Sequence, residues 1–483
     1  MKRFFTTVRS LTAPTEGTAS ETLRFQTRRL SIWEGALWSV MWGFGETYIA
    51  PFALFLNAGS LAMAFVGTGP VLISAAAQLA GAALLDRTGR RLPIITSGFA
   101  VQALAYLPLF LLPVLLPKGG IAALLLSAAA CFFSAGLAVP SWMSLMGDVI
   151  DPADRGRYFS SRTRTVLCFM LFFMLMAGWI IHRWKTIGHP TAGFGFLFGI
   201  ACLSRIISLF FMRRHYDAPL QRPQDDAYFS FFDFVRATPR SNFAKFAFTV
   251  ALMNGTAQIA GPFFAVYMLR DLHWSYLAFT VNMAVFLLSQ TLFVRWWGAL
   301  SDRHGNRAVL AATCWIMPVL PLFWIFSTNY AVLLIAQMIS GACWSGFNLA
   351  ASNFIYDAVT PAKRARVFSY YNLLNGLLSV GGAVLIGAPL AECLPAQFRV
   401  GAAQITLISS LPLVFAVSAA LRALAAWAML PRFREVREAE PISTVRILWR
   451  LGVGQPLFAQ AGEFLPLIRR FVERSGFRPP TTK

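Results

Sequence analysis

The chain is poor in charge, and poorest in acid: 13% of its 483 residues are charged, with 21 Asp and Glu against 42 Lys and Arg. So few ionic side chains cannot clothe a water-facing surface of this size, which excludes an ordinary soluble protein. Histidine is scarce as well, and all five fall in predicted loops or helix ends. No Walker loop, zincin helix or nucleophile elbow occurs, so the usual enzyme signatures are missing and the chain reads as a non-enzyme. The six cysteines, at 131, 168, 202, 314, 343 and 393, form no CxxC pair and have no His at ligand spacing. They read as small core residues, with neither a disulfide framework nor a metal site, and no cofactor is expected. The first thirty residues lack a hydrophobic h-region, so no cleaved signal peptide is expected and insertion falls to the first membrane helix.

What is there is apolar: 57% of residues are hydrophobic, gathered into long runs. A formal charge of +21 would suggest nucleic acid in a soluble protein, but here the basic residues sit in short clusters between the runs. That placement fits loops held against anionic lipid, and nucleic acid is not an expected partner. A crossing needs about 20 apolar residues. Stretches of that length fall at 32–56, 60–85, 92–116, 121–147, 164–182 and 192–212, then at 242–269, 275–300, 307–327, 330–356, 367–391 and 403–429. Arginine clusters such as Arg87, Arg90 and Arg91, or Arg155, Arg157, Arg162 and Arg164, lie on one side of the count. The opposite loops offer only Lys118, Arg183, Lys185, Arg270 and Arg399. The basic side is cytoplasmic by the positive-inside rule, which puts both termini in the cytoplasm of an inner-membrane protein.

The division this implies is an N-terminal segment 1–30, a six-helix bundle 31–212, a linker 213–241, a second bundle 242–430 and a basic tail 431–483. An aromatic run in the linker, FSFFDFV, suits a short interfacial helix. The tail runs VRILWRLGV and FLPLIRRFVERSGF alternate apolar and basic residues at roughly helical spacing. Either a membrane-surface anchor or a plain basic tail fits them.

Three internal matches make the halves a duplication. After the fourth and tenth runs, Asp148, Pro152, Ala153, Arg155, Arg157, Phe159 and Ser160 recur at an offset of 209 as Asp357, Pro361, Ala362, Arg364, Arg366, Phe368 and Ser369. After the second and eighth, Asp86, Arg87, Gly89 and Arg91 recur at an offset of 216 as Asp302, Arg303, Gly305 and Arg307. In the first and seventh, Gly45, Ile49 and Ala50 recur as Gly255, Ile259 and Ala260, each followed by a Pro-Phe pair. The pattern G-x-x-x-D-R-x-G-R-R, twice placed, resembles the hallmark of the major facilitator superfamily. The second copy, Gly298 to Arg307, departs at Asn306; the first has Ala82 where the leading glycine belongs, a residue still small enough for close helix approach.

The resemblance implies an all-α membrane fold of twelve helices in two pseudo-symmetric bundles, transporting a small-molecule solute by alternating access. It also implies gating roles for Asp86, Arg87, Gly89, Arg90 and Arg91, and for Asp302, Arg303, Gly305 and Arg307. Asp148, Arg155 and Arg157, with Asp357, Arg364 and Arg366, would join that network; the bland alternative for each arginine is topology alone. Neither the sugar-porter motif after the sixth run nor the G-P-rich fifth run of drug/proton antiporters is present.

Ionisable groups within the runs are functional candidates, because a charge in hydrocarbon is costly. Glu46 leads them, with glycines before it and Pro51 after it. Helical spacing places Trp42, Glu46, Ile49, Ala50 and Ala53 on one face that would line the central cavity. Glu46 then either couples protons to transport or holds helix packing without titrating. Glu34 and Glu392 are expected at the interfaces; Arg205 and Arg422 lie deeper, where each could pair with a carboxylate or bind an anionic substrate, but snorkelling to the cytoplasmic surface is the reading expected of both. In the helices that line the family's binding site stand Trp142, Asn254, Gln258, Tyr267, Trp344 and Asn348. A non-transporting receptor or assembly protein acting through loops and tail is the rival reading, since fold alone does not fix function.

Overall fold

The computed structural model describes residues 19–115, 120–151, 154–217, 236, 241–359, 361–400, 403–440 and 442–447. The linker's expected interfacial helix and the tail beyond 447 lie outside them. Within the described residues, ten helices are long and apolar enough to cross a bilayer. The remaining two crossings, the first and the seventh, are broken near their middles. The first is α1 (Ala19–Phe44), a single 3-10 turn (Glu46–Tyr48) and α2 (Ile49–Phe55). Pro51, three residues into the second piece, lacks the N–H that would continue the ladder back across the break. The Thr47 hydroxyl donates to the carbonyl of Trp42 at 3.0 Å, satisfying one acceptor the break frees.

The rest of the first half is α3 (Ser60–Thr88), α4 (Arg91–Leu115), α5 (Ile121–Val149), α6 (Arg155–Thr186) and α7 (Pro190–Met212). The second half repeats the plan. Its broken seventh crossing is α8 (Asn242–Gln258), α9 (Gly261–Val266) and a π-helical turn (Tyr267–Asp271), with Pro262 at the start of α9. The eighth is α10 (Tyr276–His304); the ninth is α11 (Asn306–Ile316) and α12 (Leu320–Phe326); the tenth is α13 (Tyr330–Ala358). The eleventh, α14 (Pro361–Val380), passes through a π-helical stretch at Gly381–Gly387 into α15 (Ala388–Cys393). The twelfth is α16 (Leu411–Met429).

Two expectations change. Helix α1 begins at Ala19, not near 32, because the polar stretch before the membrane continues the same helix. The twelfth crossing begins at Leu411, not 403: Gln397–Val400 (β1) and Ala403–Thr406 (β2) form an antiparallel hairpin. Its β-branched, apolar residues read as the start of a membrane run.

Large apolar side chains such as Leu104, Leu126, Phe172, Leu203, Leu385 and Trp427 are exposed, as expected for a surface facing lipid. Inside, small residues set the helix spacing. A β-carbon on Gly136 of α5 would lie 2.9 Å from the Ser74 Cα of α3. In the matching α10–α13 contact, one on Gly341 would lie 2.9 Å from the Ser289 Cβ.

One hydrophobic core spans both halves, at the end opposite the Asp-Arg loops; it joins Tyr48, Phe52, Phe194 and Phe198 to Phe263, Tyr267 and Tyr276. At the end bearing those loops, each half has its own core. Tyr48 Oη lies 2.6 Å from Thr280 Oγ1 across the halves, and the Phe194 and Tyr276 rings meet edge-on at 5.5 Å. The molecule is therefore sealed at the end away from the Asp-Arg loops.

Candidate functional site

The first bundle holds a buried charge network. Glu34 on α1 is 3% exposed, and Arg162 Nη2 on α6 donates to it at 3.0 Å. Arg205 on α7, 2% exposed, brings Nη1 to 3.6 Å from the other carboxylate oxygen. Aromatic faces cover both cations: the Arg162 guanidinium lies 4.6 Å from the Trp142 ring centre, and that of Arg205 lies 3.4 Å from Phe99. These side chains and Trp38 border a cavity of ≈ 240 Å³. Glu34 is thus not interfacial and Arg205 does not snorkel. Each meets an opposite charge from another helix before it could reach the surface, a pairing that spacing along one helix cannot reveal.

Glu46 is half-buried in the 3-10 turn of the first crossing, and its carboxyl has no hydrogen-bond partner among the described residues. The charged group that acts on it is Arg205 of the first bundle. The expected single face does not form, because the break at Gly45 to Tyr48 interrupts the helical period. Ile49 and Ala53 turn into the core, while Trp42 stays half-buried.

The second bundle encloses a cavity of ≈ 390 Å³, bordered by four of the expected residues, Asn254, Gln258, Trp344 and Asn348. Gln290, Gln337 and Ser340 add polar groups, and Asn348 is exposed. Asn254 Nδ2 donates to Asn375 Oδ1 of α14 at 2.7 Å. Tyr267 is not on the wall: it is buried in the shared core, edge-on to Phe415 at 5.5 Å. Trp142 belongs to the first cavity. The candidates therefore divide between two bundles instead of converging on one interface site.

Arg422 of α16 also borders the second cavity and is 4% exposed, so it does not snorkel either. Its Nε donates to Ser418 Oγ at 3.1 Å, Nη1 to the Met317 carbonyl at 3.1 Å and Nη2 to that of Ala257 at 3.2 Å. The two arginines are counterparts: Arg205 and Arg422 each stand seven residues before a buried methionine, Met212 and Met429.

At the loop end, Gly89 closes α3 in the left-handed conformation (φ +64) and Gly305 takes φ +85. The carboxylates engaged there are Asp148 and Asp357, not Asp86 or Asp302. Arg91, 1% exposed, pairs with Asp148 and lies 3.9 Å from Asp217. In the second half Asn306 Nδ2 donates to Asp357 at 2.7 Å, and the cation beside Asp357 is not Arg307, the counterpart of Arg91, but Arg437 of the segment after α16, at 3.6 Å. That segment straps the whole loop. Arg303 bonds Glu440 at 2.7 Å, the Arg307 amide bonds Glu435 at 2.7 Å, and the Arg307 guanidinium bonds the Phe433 carbonyl at 3.0 Å. The Arg303 guanidinium holds the Glu440 carboxyl below its ordinary range. The side chains of Asp86, Arg87, Arg90, Arg157 and Asp302 are exposed and bond no described residue. Those of Arg155, Arg364 and Arg366 lie outside the described residues.

Two helical bundles, sealed at one end and holding polar cavities inside, define a multi-pass membrane protein of solute-transporter type. The family model of the Major Facilitator Superfamily matches residues 36–260 and again 246–467, and the chain belongs to that superfamily. The tetracycline resistance protein, class B, of Escherichia coli is 28% identical over 137 residues, 28% of this chain and 34% of that protein's length. Among solved structures, the nucleoside transporter NupG is similar at TM-score 0.63 and 15% identity, over 86% of this chain and 99% of its own. An auto-inhibited POT family peptide transporter matches at TM-score 0.64 and 12% identity, over 86% and 99%. A bacterial homologue of the human lysosomal transporter Spinster, inward-facing and occupied, matches at 0.62 and 14%, over 87% and 100%. Likenesses at these identities show the fold. The chain is accordingly a multi-pass membrane member of the Major Facilitator Superfamily.

Proposed function

We propose that this protein is a proton-coupled secondary transporter of small solutes, that Glu46 carries the proton, and that the protein works in the cytoplasmic membrane with both termini inside. The observation that carries the reading is Glu46 itself: a half-buried carboxyl at a helix break, without a hydrogen-bond partner among the described residues and within electrostatic reach of Arg205. A carboxyl so placed is free to take up and release a proton, and each change alters its attraction for Arg205, which Glu34 also holds. Protonation then shifts Arg205 toward Glu34, and deprotonation draws it back.

Arginine placement puts the Asp-Arg loops in the cytoplasm, so the seal through Tyr48 and Thr280 marks an inward-facing state. Alternating access opens that seal as the halves, 31–212 and 242–430, rock against each other. The strapped loop from Asp302 to Arg307 and the Arg91–Asp148 pair gate the cytoplasmic end.

The test is flux. Liposomes holding a pH-sensitive dye are screened with solute classes, comparing wild type with Glu46→Gln. Solute-driven proton movement in wild type that vanishes in the variant supports the reading. Proton movement retained by the variant makes Glu46 structural, and solute flux without proton movement refutes coupling.

A further inference from the structure

The two bundles are copies of one unit, yet their buried charges are unequal. The first holds two acids, Glu34 and Glu46, and two arginines, Arg162 and Arg205. At the offset of 210 that aligns the first and seventh crossings, Glu34 corresponds to Ala244 and Glu46 to Thr256; at 209, Arg162 corresponds to Tyr371. Three of the four charges are gone from the second bundle. The fourth remains, as Arg422.

A lone guanidinium inside a membrane bundle is costly, and such groups persist where they are paired or used. Arg422 has no carboxylate partner among the described residues; the titratable side chain that acts on it is the Cys343 thiol. Its three bonds go to one hydroxyl and two carbonyls. A guanidinium has five N–H groups, so two are left for another acceptor. Among the described residues, Arg422 is also the one charged side chain bordering the ≈ 390 Å³ cavity, a volume within the range of small-molecule sites. Around it stand amide donors, Gln258, Gln290, Gln337 and Asn348, and the indoles of Trp324 and Trp344.

We infer that this cavity binds an organic anion, a small carboxylate with an apolar or aromatic body, and that Arg422 supplies the counter-charge the duplication left unmatched. The carboxylate takes the two remaining N–H groups, the amides orient its polar substituents and the indoles cover its body. This deepens the transporter reading by naming a solute class, and it does not depend on Glu46.

The test measures binding without a proton gradient. Purified wild-type protein in detergent is heated with matched acids and amides, benzoate against benzamide, indole-3-acetate against its amide and hexanoate against hexanamide. A ligand of the folded state raises the unfolding midpoint. One or more acids are expected to raise it by several degrees while the matched amides do not. Arg422→Gln should weaken the response about tenfold or more while unfolding stays cooperative, as loss of a charge-assisted bond requires. Arg422→Lys should keep a reduced response. If the Gln variant does not fold, Ser340→Phe decides, since it fills the cavity with Arg422 intact and should abolish the response. Equal shifts by acids and amides, a full response in Arg422→Gln or Ser340→Phe, or no shift by any acid overturns the inference. Glu46→Gln should retain the acid-induced shift, so failed proton coupling with binding intact refutes only the earlier proposal.

Discussion

Replacing Glu34 by Gln keeps the side chain's shape and removes its charge, leaving Arg205 and Arg162 facing each other across a small cavity. The carboxylate is 4% exposed, and its partners lie at 3.0 and 3.6 Å, with Arg205 3% and Arg162 17% exposed. At an effective dielectric near 20, a unit pair at about 4 Å attracts by roughly 4 kcal/mol, and these pairs are closer. Burial has already cost much of that, so the net loss on breaking the network is about 3–5 kcal/mol, the usual penalty for stranding a buried charge. At roughly 1 kcal/mol per degree for a chain of 483 residues, the unfolding midpoint should fall by about 3–5 °C. A thiol-reactive dye reads it, because Cys131, Cys314 and Cys343 are buried until the chain unfolds. Adding Arg205→Gln should recover part of the loss by removing the stranded cation, which a double-mutant cycle isolates. A fall below about 1 °C, or a double variant less stable than Glu34→Gln alone, would refute the argument that this network is tightly coupled.

Three further outcomes concern the loop end. Ser301 is fully buried beneath the strap, and Arg437 donates to its carbonyl at 2.9 Å. In a protein whose exposed Cys168 and Cys393 and half-buried Cys202 are replaced by Ser, maleimide labelling of Ser301→Cys should therefore be slow and should speed several-fold when Arg437→Ala is added; unchanged labelling means the strap does not cover the loop. Glu440 is held below its ordinary value of 4.5 by Arg303, so its contact stands at neutral pH and fades only as pH falls through its lowered value. Labelling that rises already between about pH 7 and 5 would contradict that assignment. His215, just past α7, is 4% exposed, and burial pushes its imidazole below the ordinary 6.5. The unfolded chain binds that proton first, so stability should decline as pH drops below 6.5, and His215→Asn should flatten the decline.

The crossings were legible because hydrocarbon imposes one rule on every helix: enough apolar residues in a row. The duplication was legible for a similar reason, since the loops after the second and eighth crossings each need a positive φ that glycine adopts cheaply, at Gly89 and Gly305. Pairing between helices was not legible. Glu34 and Arg205 are 171 positions apart in the chain, and nothing in the local spacing of either says that they meet. The same limit misdirected Tyr267, whose place on a cavity-lining crossing did not foretell the π-helical turn that carries it into the shared core. Glu46 stood out by its charge, but its face was misread because Gly45 and Pro51 break the period on which the face was drawn.

The duplication also bears on the buried charges, which the two halves do not share equally. A duplicated unit begins with equal charges, and each later loss must be tolerated by the bundle that bears it. The first bundle kept acids and bases in balance, an arrangement that can shift internally on gaining a proton and suits a coupling element. The second has Ala244 and Thr256 where the first has its acids, and it holds one arginine, Arg422, that no carboxylate among the described residues balances. Carbonyls at the broken seventh and ninth crossings hold the guanidinium in place, through Ala257 and Met317, but they carry no net charge. On the proposed reading, the bundle that titrates and the bundle that binds are therefore different copies of one fold. Their coupling runs through the seal they share, where Tyr48, two residues past Glu46, meets Thr280 at 2.6 Å.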